Sequence, residues 1–257
     1  MRPTRGLTAR AALWFRAAFL VSLPISAASA REPVIPRAEL PGIGSVDPRR
    51  PVDSASMPWS ALGRVQTELG GRCTGTLIAP RTVLTAAHCL VSPRSGGWVR
   101  PASVHFLLGY RQGAWTGMAR AVSFVSGPGF DAGSRSPASA DWALLTLDVA
   151  PGHGAPLPLL RDIPAAGTPV LLGGYQQDRP EVLMADTGCQ VLGLWRRERT
   201  TLLVHGCAGT RGASGAPLLV GQRGGGWAVA GVAVAVTRGQ AQGVAVPAAV
   251  LRQMLEE

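Results

Sequence analysis

From Ser60 to Val246 the chain reads as about a dozen short apolar runs, each stopped within a few residues by glycine or proline. The runs are Ser60–Gln66, Cys73–Ile78, Thr82–Thr85, Ser103–Leu108, Ala119–Val125, Asp141–Leu147, Pro169–Leu172, Val182–Leu192, Thr201–Cys207, Pro217–Val220, Trp227–Val236 and Gly243–Val246. With 33 glycines and 21 prolines, turns are plentiful and long helices are disfavoured. Only the last segment, Pro247 to Glu257, has helical spacing, with Val250, Leu251, Met254 and Leu255 on one face behind a proline. The pattern predicts an all-β chain of two packed antiparallel six-stranded barrels with a C-terminal helix. The Pro/Gly-rich connection Ala150–Pro158 would divide residues 57–155 from residues 156–257.

The first 56 residues read differently. A basic start, the apolar segment Ala17–Ile25 and the A-x-A triplet Ala28-Ser29-Ala30 make residues 1–30 a signal peptide, cut after Ala30. Arg16 and Pro24 interrupt the apolar segment, so no stable membrane insertion is expected once it is removed. Residues 31–56 are rich in proline and arginine without periodicity, as in an extended arm or propeptide, and Asp47–Pro51 is a plausible processing site. The destination is secreted or periplasmic.

The formal charge is +10, and every basic residue is an arginine. Four of them (Arg2, Arg5, Arg10, Arg16) sit in the acid-free leader, so removing it leaves +6. No dense basic cluster interleaved with aromatics remains, which argues against nucleic acid as a partner. Four cysteines, Cys73, Cys89, Cys189 and Cys207, behind an export signal read as two disulfides. Of the three possible pairings, sequence neighbours (Cys73–Cys89 and Cys189–Cys207) are the simplest. No pair has C-x-x-C spacing, so neither a metal nor a redox site is expected, and no cofactor is called for.

Three residues at loop mouths beside apolar strands can do chemistry together. Ser214 lies in the glycine-flanked turn Gly212-Ala213-Ser214-Gly215-Ala216-Pro217, His88 follows Thr85-Ala86-Ala87, and Asp141 opens Asp141-Trp142-Ala143-Leu144-Leu145. A nucleophile, a base to take its proton and a carboxylate to hold the base's tautomer are the three parts that covalent acyl transfer needs. His105, His153 and His205 lack such partners, and His205 is expected to pack under the second disulfide. Asp131 is the fallback orienting carboxylate.

These three motifs, in the order His, Asp, Ser, resemble those of trypsin-like (chymotrypsin-fold) serine proteases, as does Cys73-Thr74-Gly75-Thr76-Leu77-Ile78 ahead of the histidine. The resemblance runs from about Pro58 to the C-terminus. It implies a secreted, monomeric endopeptidase acting on protein or peptide substrates through an acyl-enzyme. His88, Asp141 and Ser214 would form the triad, and the amides of Gly212 and Ser214 the oxyanion hole. Ala213 stands where trypsin-like enzymes carry an aspartate that pairs with a freshly cut N-terminus, so that pair cannot form here. The pattern is closest to the bacterial secreted glutamyl-endopeptidase (V8-like) branch. The resemblance puts the substrate pocket at Ala208, Gly209, Val234, Val236 and Gly243. With no acid in these stretches and no histidine on the strand, a neutral pocket for an apolar or small side chain is expected. A catalytically silent binding module of the same fold is the alternative reading.

Overall fold

The computed structural model describes residues 35–36, 39–197 and 200–256. The expected signal peptide lies outside them. Among the described residues no helix is long and apolar enough to cross a membrane.

The chain order is β1 (Arg50–Pro51), β2 (Leu62–Thr67), β3 (Arg72–Ala79), β4 (Thr82–Thr85), β5 (Val104–Leu108), β6 (Gly117–Ser126), β7 (Ala143–Leu147), β8 (Pro169–Gln176), β9 (Arg179–Arg197), β10 (Thr200–His205), β11 (Pro217–Gly221), β12 (Trp227–Val236), β13 (Gly243–Pro247) and the helix α1 (Ala248–Glu256). The first barrel closes in the order β2-β3-β4-β7-β6-β5. Its inward faces carry Val65, Leu77, Val83, Phe106, Leu145 and Leu147, all nearly inaccessible to water. Complete burial of one such side chain contributes roughly 1.5–3 kcal/mol, so the closed barrel is held mainly by this layer.

The second sheet runs β1-β9-β10-β13-β12-β11-β8, and β8 also pairs with β9, so β8–β13 return on themselves. The architecture is the expected all-β one with a terminal helix, which packs on β12 and β13. The second sheet also holds a strand that the sequence pattern does not reveal. β1 is only two residues long, pairing Arg50 with Ala185 and Pro51 with Met184 on β9.

Residues 39–56 therefore do not form a loose arm. Leu40 and Ile43 bury against Ala208, and Gly42 donates its N–H to Thr237 O and accepts from Gly209 N–H. Arg49, expected at an exposed processing site, has a side chain with no accessible surface and ion pairs to Asp47 and Asp178 at 2.8 and 2.7 Å. Its hydrogen bonds hold the Asp47 carboxyl below its usual range. A charged guanidinium can be buried only with such partners, and one of them, Asp178, comes from the turn between β8 and β9, far along the chain. Val34–Glu257 is one compact unit containing both barrels.

Both disulfides join sequence neighbours: Cys73–Cys89 ties β3 to the turn after β4, and Cys189–Cys207 ties β9 to the segment after β10. Each closes a short loop, worth about 3 kcal/mol in denatured-chain entropy.

Candidate active site

His88 sits in a single 3₁₀ turn, Ala87–Leu90, at the end of β4. Its neighbour Cys89 is bridged to β3, so the turn cannot drift. Asp141 follows another short turn, Ala138–Ala140, directly before β7. Because β4 and β7 are paired, with Thr85 opposite Ala143, the two turns lie side by side. The Asp141 carboxylate is buried and spends both oxygens on His88. Oδ1 accepts the His88 backbone N–H at 2.8 Å, and Oδ2 meets Nδ1 at 2.7 Å. Two fixed contacts set the ring's rotation, and a carboxylate at Nδ1 puts the neutral ring's proton there. Nε2 is left with its lone pair, the form a general base needs.

The serine loop belongs to the second barrel but is anchored on the first. Thr74 N–H donates to Ser214 O at 2.9 Å. Thr74 Oγ1 donates to Gly212 O and accepts from Tyr175 N–H, both at 2.9 Å. Thr85 Oγ1 in turn donates to Thr74 O at 2.8 Å. Gly215 has φ +80°, and a Cβ there would lie 2.3 Å from both Thr74 O and Thr85 Oγ1. Only glycine lets the serine loop press so closely on the strand end that leads to His88. Gly212, at φ +92°, is pinned likewise: a Cβ would meet Tyr175 O at 2.2 Å. Among the described residues the amides of Gly212 and Ser214 have no acceptor, whereas that of Ala213 between them donates to Thr210 O. Two unspent N–H groups flanking a serine are the donors an oxyanion requires.

Beside Ser214 is a cavity of 290 Å³, walled by Thr210, Ala213 and the end of β12. Val234 and Val236, expected in the pocket, line it; Ala208, Gly209 and Gly243 do not. Ala208 and Gly209 lie behind it, Ala208 N–H on Asp186 Oδ2 at 2.8 Å and Gly209 N–H on Gly42 O at 3.0 Å. Gly243 borders a separate apolar cavity of 400 Å³ with Trp195, Leu202 and Val244. The neutral lining expected of this pocket omits two charges. Arg211 and Arg238 both border the cavity, and neither has an ion-pair partner among the described residues. Arg238 lies in the turn beyond the strand and Arg211 precedes the glycine of the serine motif, so both fall outside the stretches that the resemblance assigns to the pocket. Pro41, from the supposed arm, completes the wall. Thr74 and Thr85 are anchors that the motifs do not mark, although a threonine within an apolar strand signals a buried hydrogen bond.

Cys73, His88 and Cys89 bring ligand-type atoms within 4.8 Å of one another. Both sulfurs are consumed in the disulfide, which leaves no thiolate to bind a metal.

His205 is fully buried at the end of β10. Its Nδ1 accepts the Cys207 N–H at 3.3 Å, and its Nε2 has no partner. Gly243 makes room for the ring, since a Cβ there would lie 2.7 Å from Nε2. Burial lowers the His205 pKa from 6.5 to about 4. Between those values the unfolded chain binds the extra proton, so stability is full above about pH 6.5 and falls as pH drops toward 4. The loss is on the order of 3 kcal/mol. Urea midpoints measured from pH 7 to pH 4.5 should fall, and His205→Gln should flatten the decline; an unchanged slope in that variant contradicts this assignment.

The matching family model is Trypsin, over residues 47–254. A glutamyl endopeptidase of Bacillus licheniformis is 37% identical over 62 residues, which are 24% of this chain and 19% of that protein, so the match spans about a fifth of the relative's length. A solved structure of a Glu endopeptidase in complex with MPD superposes with a TM-score of 0.67 at 22% identity, covering 83% of this chain and 98% of that one. With a family match over most of its length, two barrels and this arrangement of histidine, aspartate and serine loop, the chain belongs to the trypsin-like serine protease family, close to its V8-like branch.

Proposed function

We propose that the protein is a secreted serine endopeptidase that cleaves peptide bonds after acidic residues. The observation that carries the catalytic part is the His88–Asp141 pair, with both carboxylate oxygens engaged, together with the two unspent amides of the serine loop. Ser214 Oγ attacks the scissile carbonyl carbon while His88 Nε2 takes its proton. The carbonyl oxygen becomes an oxyanion and accepts from Gly212 N–H and Ser214 N–H. The intermediate collapses as His88 returns the proton to the leaving amine, giving an acyl-enzyme. Water then repeats the sequence and frees Ser214. β12 extends past the start of β11, where Pro217 pairs with Val232, so its end at Val234–Val236 offers an edge along which an extended substrate can add a strand. Disulfides formed after export through the leader fit an oxidising compartment.

The acidic preference rests on Arg211 and Arg238. Two guanidiniums without ion-pair partners among the described residues, beside a cavity whose lining holds no acidic side chain, favour a carboxylate over an apolar or basic side chain. The names of the two similar proteins agree with that chemistry. In matched peptides differing only at the residue before the scissile bond, kcat/KM should rank Glu and Asp above Gln by about 10- to 100-fold, with Leu and Arg lower still. The double variant Arg211→Gln, Arg238→Gln should erase the Glu-over-Gln preference. Leu peptides cleaved as fast as Glu peptides would overturn the acidic reading and restore the neutral one.

A further inference from the structure

The serine loop has no aspartate before Ser214 to anchor it, yet it is held from behind by a chain of buried polar contacts. The segment Tyr175–Gln177 at the end of β8 serves as its backing. Tyr175 O and Gln176 Cα lie directly against Gly212. Gln177 N–H donates to Arg211 O at 2.8 Å, and Gln177 Nε2 donates to Thr210 Oγ1 at 3.0 Å. Gln176 is completely buried, and its Oε1 accepts two donors, Thr210 N–H at 2.8 Å and Arg49 Nη1 at 2.6 Å. Arg49 is fixed in turn. Nη1 and Nη2 meet the two oxygens of Asp178 at 3.0 and 2.7 Å, and Nε and Nη2 meet those of Asp47 at 2.9 and 2.8 Å.

A glutamine oxygen facing only an amide could rotate away. Here the guanidinium, itself clamped by two carboxylates, fixes that oxygen toward Thr210. Thr210 accepts the Ala213 N–H, so the arrangement passes from Arg49 through Gln176 and Thr210 to the residue between the two free amides. We propose that Arg49, acting through Gln176, is a positioning residue for the oxyanion loop, doing with a side chain from the N-terminal segment what an aspartate at position 213 would do with a cleaved N-terminus. The loop is then preformed without any cut creating a new amine. This inference rests on the proposed protease function for its kinetic arm only.

The test uses the full exported protein with Gln176→Leu, Gln176→Glu and Arg49→Lys. Leucine removes the acceptor, glutamate keeps an oxygen for both donors, and lysine cannot reach three acceptors at once. Hydrogen exchange of peptides covering 208–216 reads the loop directly. It should accelerate at least tenfold in Gln176→Leu and Arg49→Lys, remain near wild type in Gln176→Glu, and leave first-barrel peptides unchanged. On a Glu peptide, kcat should fall about 10- to 100-fold in the first two variants with KM within about twofold, as expected when oxyanion donors are displaced and substrate binding is not. Should Gln176→Leu fail to fold, Arg49→Lys against Gln176→Glu decides. Unchanged exchange at 208–216 with unchanged kcat, or exchange accelerated equally throughout the second barrel, overturns the proposal. A wild type that hydrolyses no peptide would count against the protease reading, while the exchange data would still decide this one.

Discussion

Ser214→Ala is expected to lower kcat by about a million-fold while leaving the fold intact, the size of loss seen when the nucleophile of a serine protease is removed. The serine side chain has no structural duty comparable to its backbone. Ser214 O is held by Thr74 N–H and the next amide by Ala233 O, and neither contact needs the hydroxyl. The melting temperature should therefore stay within a degree or two. KM should move little, since the cavity walls at Val234, Val236, Arg211 and Arg238 are untouched. The residue of catalysis should come from the two free amides alone. Measuring single-turnover hydrolysis of a Glu peptide by the purified variant checks this, and a loss below about a hundredfold would mean that another group supplies the nucleophile.

Asp141→Asn should cost about ten-thousandfold in kcat, through a different physical route. The carboxylate accepts twice from His88, at the backbone N–H and at Nδ1. An asparagine has one acceptor and one donor group for those two places. If its oxygen keeps the backbone N–H, its NH₂ faces Nδ1 and drives the ring proton to Nε2, where it blocks the base. If the amide flips, two donors confront each other at the His88 backbone. The variant also loses the charge that stabilises the imidazolium formed in the transition state. Substrate binding is unaffected, so KM should remain within about twofold. A fall of less than tenfold would mean that Asp141 does not orient the base, and Asp131 would return as the candidate.

Local signals in the sequence carried far. Short apolar runs with glycine and proline between them placed the strands: Thr82–Thr85 and Trp227–Val236 coincide with β4 and β12, and the helix after Pro247 is α1. His88, Asp141 and Ser214 were legible because each sits within a handful of residues whose types are dictated by one tight turn, and the glycines around Ser214 are demanded by contacts as close as 2.2 Å. What stayed hidden depends on distant partners. A two-residue strand has no period, so β1 read as linker. Arg49 read as part of a processing site because its acceptor Gln176 is 127 residues away. β9 is far longer than Val182–Leu192, since it switches partners along its length from β8 and β1 to β10, and a pattern keyed to one buried face breaks at such a change. The cavity beside Ser214 depends on distant partners too. Gly243 lies on a strand of the right barrel, but its bare Cα makes room for His205, whereas Pro41 reaches the wall from an apparently unstructured segment.

The most direct test of the central claim is the intact mass of the purified, oxidised protein after treatment with a fluorophosphonate, beside Ser214→Ala. Phosphonylation requires a serine made nucleophilic by its base and an oxyanion loop that can receive the developing charge. The account predicts one adduct on the wild type and none on the variant, with both untreated masses four hydrogens short of the fully reduced chain. A folded, oxidised wild type that takes up no reagent, or a variant that is labelled equally, would contradict it.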